Sequence, residues 1–237
     1  MTAIRAPCPI VLEHAKLLPL LIWISNHRNT KVTILICETR SDFETRIILE
    51  LLATGSNILH PTLERLSNSR YIDLRFCSTA EALHAYLTAY SVKSTASIDE
   101  DTEASVLAIV DPIKMHEMSP LYSAQGLSKF FAAAVDASTI SGAQLYVVEC
   151  AVPLLRSTSI DIPMDDYNDT PAEATSPGLD LEEVSIATEI DPWNAEVPIL
   201  NATTRTFGPG QRGWMGRTVG IKRIAARWCI FKRLDET

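Results

Sequence analysis

Short apolar runs rich in β-branched residues alternate along the chain with longer segments of helical periodicity. The clearest runs cover residues 31–37, 105–111 and 144–150, and amphipathic stretches such as 41–54 and 123–138 lie between them. An uninterrupted apolar run of this length is typical of a strand that is buried on both faces. Strands of this kind that alternate with helices predict an α/β fold, with a mainly parallel sheet flanked by helices.

Two segments fit this alternation less well. Residues 11–25 are mostly apolar and predict a helix that Pro19 should kink or interrupt. In residues 217–231, β-branched and aromatic residues alternate with basic ones, which predicts a C-terminal β-hairpin or edge strands. We expect a single domain over residues 1–237, composed of a core at 11–152, an acidic flexible excursion at 156–192 and a basic C-terminal segment at 197–234.

The net charge of −8 conceals an asymmetric distribution of charge. Residues 157–200 contain eleven acidic residues and no Lys or Arg, whereas residues 205–233 contain eight basic residues and no acidic one. The distribution therefore says more about partners than the total does. The apolar stretch at 17–24 is far shorter than the roughly 20 residues that a membrane-spanning helix needs. We expect no membrane association and a nuclear location, with the cytoplasm as the alternative.

A strand followed by a helix invites a search for a phosphate-binding loop. In the pattern Gly-x-x-x-x-Gly-Lys-Ser/Thr, glycines let backbone amides surround the phosphates while the lysine neutralises their charge. The sequence contains no match to it, and no Gly-x-Gly-x-x-Gly follows any predicted strand. Residues 38–42, after the first strand, contain no glycine and carry two carboxylates that would repel phosphate. The sequence therefore predicts neither nucleotide hydrolysis nor dinucleotide binding.

Asp111 ends the strand at 105–111, the position at which many phosphate-handling enzymes hold a Mg²⁺-binding carboxylate. Without a phosphate loop, the alternative that Asp111 caps the following turn is favoured. His116 and Glu117 form the one cluster of His and acidic side chains near a strand end, and we interpret them as a solvated loop. The cysteines and histidines show no metal-binding spacing. We expect no catalytic residue, no metal and no cofactor.

The basic C-terminal segment also carries aromatic residues. Arg and Lys next to stacking rings suit single-stranded nucleic-acid binding. The alternative is a solvated edge whose charge balances the acidic excursion within the molecule, and the sequence does not separate the two. Trp228, in an apolar context, is expected in the core, whereas Trp214 lies in a glycine-flanked turn. The candidate DNA-binding residues are Arg205, Arg212, Trp214, Arg217, Lys222, Arg223 and Arg227.

Several segments resemble, in sequence order, the core of RecA-like recombinases. Residues 32–43 (VTILICETRSDF) are similar to the strand and acidic turn of that family, and residues 71–83 (YIDLRFCSTAEAL) to its next strand and helix. Residues 107–111 (LAIVD) resemble the Walker B strand. Residues 121–131 (LYSAQGLSKFF) are similar to a Leu-Ser-x-Arg-Gln-x-x-Leu-x-x-Phe element, and residues 144–150 to the strand that follows it.

The departures from the family matter as much as the matches. The resemblance implies that the chain begins near the helix after the phosphate loop, with the loop itself missing, and it places Arg40 where the family has a catalytic glutamate. Asp111 is then a vestigial Walker B-like residue, and no ATP turnover is expected.

The resemblance implies a non-catalytic subunit of a homologous-recombination complex, of the kind found in Shu-type complexes. Such a subunit binds DNA and pairs with another RecA-like paralogue as a hetero-oligomer. One alternative is a structural subunit of an Elongator-like tRNA-modification complex, which uses the same fold. A second is an enzyme of Rossmann-like architecture, against which the missing glycine motif counts.

Overall fold

The structure, a computed structural model, describes residues 8–26, 30–54, 62–96, 105–150, 191–200 and 217–234. Most of the predicted acidic excursion at 156–192 lies outside these residues. The strands of the described part, β1 to β8, are Ile10–Ala15, Val32–Ile36, Ile72–Phe76, Val106–Val110, Gln144–Cys150, Glu196–Pro198, Thr218–Gly220 and Ile230–Arg233. The helices, α1 to α7, are Leu17–Ser25, Arg40–Thr54, Leu63–Ser69, Ala80–Ala96, Pro112–Glu117, Ala124–Ser141 and Ile221–Ala225.

Within the described residues, six strands form one sheet in the order β3-β2-β4-β5-β1-β8, and all five neighbouring pairs are parallel. β6 and β7 form a separate antiparallel pair. The chain moves from β1 through β2 to β3 and then reverses direction towards β4 and β5. Because parallel crossovers are right-handed, this reversal places α1 and α2 on one face and α4 and α6 on the other. The predicted α/β class with a parallel sheet flanked by helices is confirmed.

Each face of the sheet has its own hydrophobic core. On one face, Leu83 and Leu87 of α4 pack with Leu127 and Phe130 of α6. On the other face, the apolar side chains of α1 pack with Phe43 of α2. All five residues of β4 are buried, because its alternate side chains enter the two cores. This double burial explains why the strand appears in the sequence as an uninterrupted apolar run.

The N-terminal segment corrects the prediction of one helix over residues 11–25. Its first part is the strand β1, which lies between β5 and the edge strand β8, and the helix α1 starts only at Leu17. A strand therefore precedes the helix α1. Pro19 lies in the first turn of α1, where its missing N–H removes no helical hydrogen bond.

Three further segments differ from the predictions. Helix α2 leaves Ile48 and Leu52 exposed and buries Arg46 and Glu50, so the side of the helix that faces the protein is partly polar. His116 is not in a solvated loop but fully buried in α5, which begins with Pro112 at its first position. At the C-terminus, β8 is the predicted edge strand, whereas the short helix α7 was not predicted.

Candidate functional site: the carboxyl-end crevice of the sheet

The carboxyl ends of β2 and β4 meet at a reversal in the chain topology. These strands are neighbours, but α2 leaves β2 on one face of the sheet and α5 leaves β4 towards the other. In open α/β sheets, ligands bind in the crevice that such a reversal opens outside the carboxyl ends of the strands. Glu38 follows β2 and Asp111 follows β4, so both carboxylates lie at this crevice. We call it the carboxyl-end crevice.

Asp111 is held by contacts on both of its carboxylate oxygens. Its Oδ1 accepts a hydrogen bond of 2.7 Å from the backbone N–H of Cys150, at the end of β5. Its Oδ2 accepts a hydrogen bond from Nη1 of Arg46, with which it forms an ion pair. The Asp111 side chain is 1% exposed, so the carboxylate is shielded from solvent. The predicted vestigial residue is therefore engaged inside the protein.

Arg46 projects from α2 into the carboxyl-end crevice and pairs with two acids. Besides Asp111, its Nη2 lies 2.9 Å from Oε1 of Glu38, although the pair is not aligned as a hydrogen bond. Burial alone would lower the pKa of Arg46, but the charges of Asp111 and Glu38 outweigh burial and raise it. The guanidinium therefore stays charged. It occupies the place of a cation next to Asp111.

A second side chain of α2, that of Glu50, accepts a hydrogen bond from the N-terminus of α1. Oε2 of Glu50 accepts a hydrogen bond of 3.1 Å from the backbone N–H of Leu18, and Glu50 is buried. A helix N-terminus attracts anions, because its first N–H groups have no partners within the helix and the helix dipole is positive there. Glu50 supplies that anion from within the chain. Pro19, next in sequence to Leu18, has no N–H to offer.

The backbone is strained at the carboxyl ends of β1 and β4. His14 has φ of 52° and Asp111 has φ of 58°, and they are the two non-glycine residues with positive φ in the described part of the chain. Near His14 the pairing of β1 with β5 shifts register between Leu12 and Ala15. Strained backbone clusters at sites where a fold must direct particular groups. Here it directs the Asp111 carboxylate towards Arg46 and Cys150.

A third acid lies beside Asp111, on the face of the sheet that carries α5. Glu149 of β5 is buried and accepts a hydrogen bond from the backbone N–H of Ile113. Burial, with the charge of Asp111 as the next cause, raises the pKa of Glu149 well above its usual value. Burial also raises the pKa of Glu38, against the opposing effect of Arg46. A raised pKa favours the neutral, protonated form of a carboxyl group, so the crevice holds less negative charge than three ionised acids would give.

The candidate DNA-binding residues lie partly outside the described part of the chain, which leaves out Arg205, Arg212 and Trp214. Arg217, Arg223 and Arg227 are exposed, and they lie before β7, on α7 and just after α7. Lys222 forms an ion pair with Glu13 and lies over the ring of Phe231, 4.9 Å from its centroid. The three arginines are therefore better placed than Lys222 to meet a phosphate backbone.

Trp228 is half-buried, and its ring lines a shallow groove on α6 with Ala132 and Val135. His116, which sequence analysis placed next to the site, belongs to the core. Its Nδ1 donates a hydrogen bond of 2.7 Å to the carbonyl of Pro112, and burial lowers its pKa. No helix within the described ranges has the length and apolar character needed to cross a membrane.

No protein-family model matches the sequence, and no curated protein matches it significantly. The class of the protein is therefore defined by its own fold and crevice. The chain is an α/β protein with a six-stranded parallel sheet over its described residues. From α2, Arg46 enters the carboxyl-end crevice and Glu50 contacts the N-terminus of α1.

Sequence analysis missed Arg46 and Glu50. The sequence does indicate that both residues are buried, because residues 46 and 50 lie at helical spacing from Phe43, on the same side of α2. Two opposite charges on the side that a helix buries require partners elsewhere in the fold. Those partners, Asp111 and the N-terminus of α1, are distant in sequence, so the pattern of α2 alone did not identify them.

We predict that Arg46→Met strongly destabilises the fold, because it leaves the buried Asp111 carboxylate without a cation. The free energy of unfolding in urea at pH 7 should fall by about 3–5 kcal/mol. Adding Asp111→Asn should recover part of the loss, because the uncompensated charge is then gone while the side-chain oxygen still accepts from Cys150. If the double variant loses as much unfolding free energy as the sum of the losses in Arg46→Met and Asp111→Asn, the two side chains are not coupled, which would contradict the ion pair described above.

Proposed function

We propose that this chain is a non-catalytic RecA-like subunit that partners a RecA-like paralogue in homologous recombination. The observation that carries the proposal is the state of the carboxyl-end crevice. The N-terminus of α1, where a phosphate would bind, holds Glu50, and Asp111, where Mg²⁺ would bind, holds Arg46. Both side chains belong to one helix, one turn apart.

The strand order gives the proposal further support. One strand, β5, separates β4, which leads to Asp111, from β1, which leads into α1. This arrangement is compatible with the RecA-like sheet that the sequence resemblance implies. On this proposal the chain retains the RecA-like sheet, while its own side chains occupy the positions where metal and phosphate would bind. The protein would then act by contacting other molecules through its surface.

The basic surface supports DNA as one of those molecules. Residues 217–234 carry six basic residues and no acidic one. Arg217, Arg223 and Arg227 are exposed within this stretch. Exposed cations in a stretch of sequence without acids suit contacts to phosphates, which carry most of the affinity in non-specific DNA binding.

Co-purification tests the process in which the protein acts. The chain, tagged and at endogenous level, is purified from its native cells, and the associated proteins are identified by mass spectrometry. The proposal predicts recovery of a recombinase or its paralogues. Recovery of a tRNA-modification complex instead would contradict the proposal and support the Elongator-like alternative.

We predict that reversing the charge of Arg217, Arg223 and Arg227 to Glu weakens DNA binding by the assembled complex. The dissociation constant should rise at least about tenfold, and the dependence of log K on log salt should lose roughly one unit of slope for each phosphate contact removed. The matched control reverses the exposed Lys31, Arg70 and Lys129, which changes the net charge equally. If the two triple variants weaken DNA binding equally, the effect depends only on net charge, and this outcome would contradict a localised interface.

A further inference from the structure

The strand β3 forms one edge of the six-stranded sheet. It pairs with β2 on one side, and no strand of the described residues pairs with it on the other. An unpaired edge presents backbone N–H and C=O groups that can bind another strand. The five residues of β3 read Ile-Asp-Leu-Arg-Phe, and each is at least partly exposed.

The hydrogen bonds around β3 identify which backbone groups are free. The N–H of Val32 donates to the carbonyl of Tyr71, and the N–H of Cys77 donates to the carbonyl of Ile36. Residues of a parallel strand alternate between their two neighbours, so the odd-numbered residues of β3 bond to β2. The even-numbered residues, Ile72, Leu74 and Phe76, therefore direct their N–H and C=O groups outward from the sheet.

The side chains of β3 divide between the two faces of the sheet. Ile72 and Phe76 pack against the core on the α2 face, and Leu74, which alternates with them, is 38% exposed on the same face. Asp73 and Arg75 lie on the opposite face, about half exposed, and form an ion pair of 3.0 Å within the strand. The residue types on the two sides of Leu74 therefore mirror each other. The positions next to Leu74 are charged, with opposite signs, and the outer positions are apolar.

This pattern makes the edge complementary to a second copy of itself. If two β3 strands pair antiparallel about Leu74, Leu74 faces Leu74 of the other copy and Ile72 faces Phe76. These are the residues with outward backbone groups, so all three pairs form hydrogen-bonded positions. Asp73 then faces Arg75 of the other copy twice, at the non-hydrogen-bonded positions where side chains approach most closely.

The face that carries Leu74 offers additional apolar surface. The two-fold axis of such an antiparallel pair is perpendicular to the sheet. The α2 faces of the two copies therefore lie on the same side of the combined sheet. On that side α2 exposes Ile48 and Leu52, which are 55% and 74% exposed. Exposed apolar side chains on the layer next to an open edge are typical of surfaces that become covered in an assembly.

We propose that two copies of this chain associate through antiparallel pairing of their β3 strands, centred on Leu74, to form a two-fold symmetric dimer with a continuous twelve-stranded sheet. The pairing is independent of the DNA and nucleotide properties considered above. It uses backbone hydrogen bonds for affinity and the two Asp73–Arg75 pairs to fix the register.

Charge reversal on β3 tests the dimer in the purified full chain. Sedimentation velocity over a range of concentrations should show dimers for the wild type. Asp73→Arg alone places like charges opposite each other at both symmetric positions, and so does Arg75→Asp alone. Each single variant should raise the dimerisation constant, expressed as a Kd, by about tenfold or more.

Two rescues separate this register from a general effect on folding. The double variant Asp73→Arg/Arg75→Asp restores opposite charges and should dimerise as the wild type does. A mixture of the two single variants should form a heterodimer, detectable by native mass spectrometry, because one variant then supplies two cations and the other two anions. The matched control, Asp136→Arg on α6, makes the same charge change at an exposed position on the opposite face of the sheet from α2 and should leave the dimer unchanged.

A wild type that is monomeric at all concentrations would overturn the proposal, as would a dimer that is insensitive to both single reversals. Failure of the double variant to restore association while its circular dichroism spectrum matches the wild type would also overturn it. None of these measurements involves DNA, nucleotide or a recombination partner. A negative result for the dimer would therefore not count against the proposed function, which is tested separately by co-purification and by DNA binding.

Discussion

The ion pair between Arg46 and Asp111 is the interaction on which the organisation of this protein depends. It joins α2, which covers one face of the sheet, to the end of β4 at the centre of the sheet. Both groups are buried, so each charge requires the other, and removal of one would leave the second without a partner in a medium that solvates it poorly. The left-handed backbone at Asp111 is the conformation from which its carboxylate reaches both Arg46 and the N–H of Cys150.

This ion pair also limits what the crevice can do. A parallel sheet with a topological reversal offers a place for a ligand at its carboxyl edge, and here Arg46 of α2 lies in that place against Asp111. One turn later, Glu50 contacts the N-terminus of α1. The arginine supplies the positive charge that a metal ion would otherwise bring to Asp111. Glu50 supplies the negative charge that a phosphate would bring to α1. Asp111 and the N-terminus of α1 thus both have partners within the chain.

The sequence predicted the sheet better than the site, for a physical reason. The apolar runs at β2, β4 and β5 depend on local periodicity, which the sequence displays directly, and the helix start at Ser123 depends on a local side-chain cap. β1 was mistaken for part of a helix because a short apolar run fits both structures, and only its position between β5 and β8 decides between them. The site depends on pairs such as Arg46 with Asp111, 65 residues apart, for which no local pattern exists.

The most direct test of this account is the binding of Mg²⁺ and ATP to the purified chain, measured by isothermal titration calorimetry at millimolar nucleotide. Because Arg46 and Glu50 occupy the positions that the metal and the phosphates require, the account predicts no saturable heat of binding for the wild type. Saturable binding with one site per chain that is lost in Asp111→Asn would contradict it. Such a result would mean that α2 leaves the crevice to admit a nucleotide.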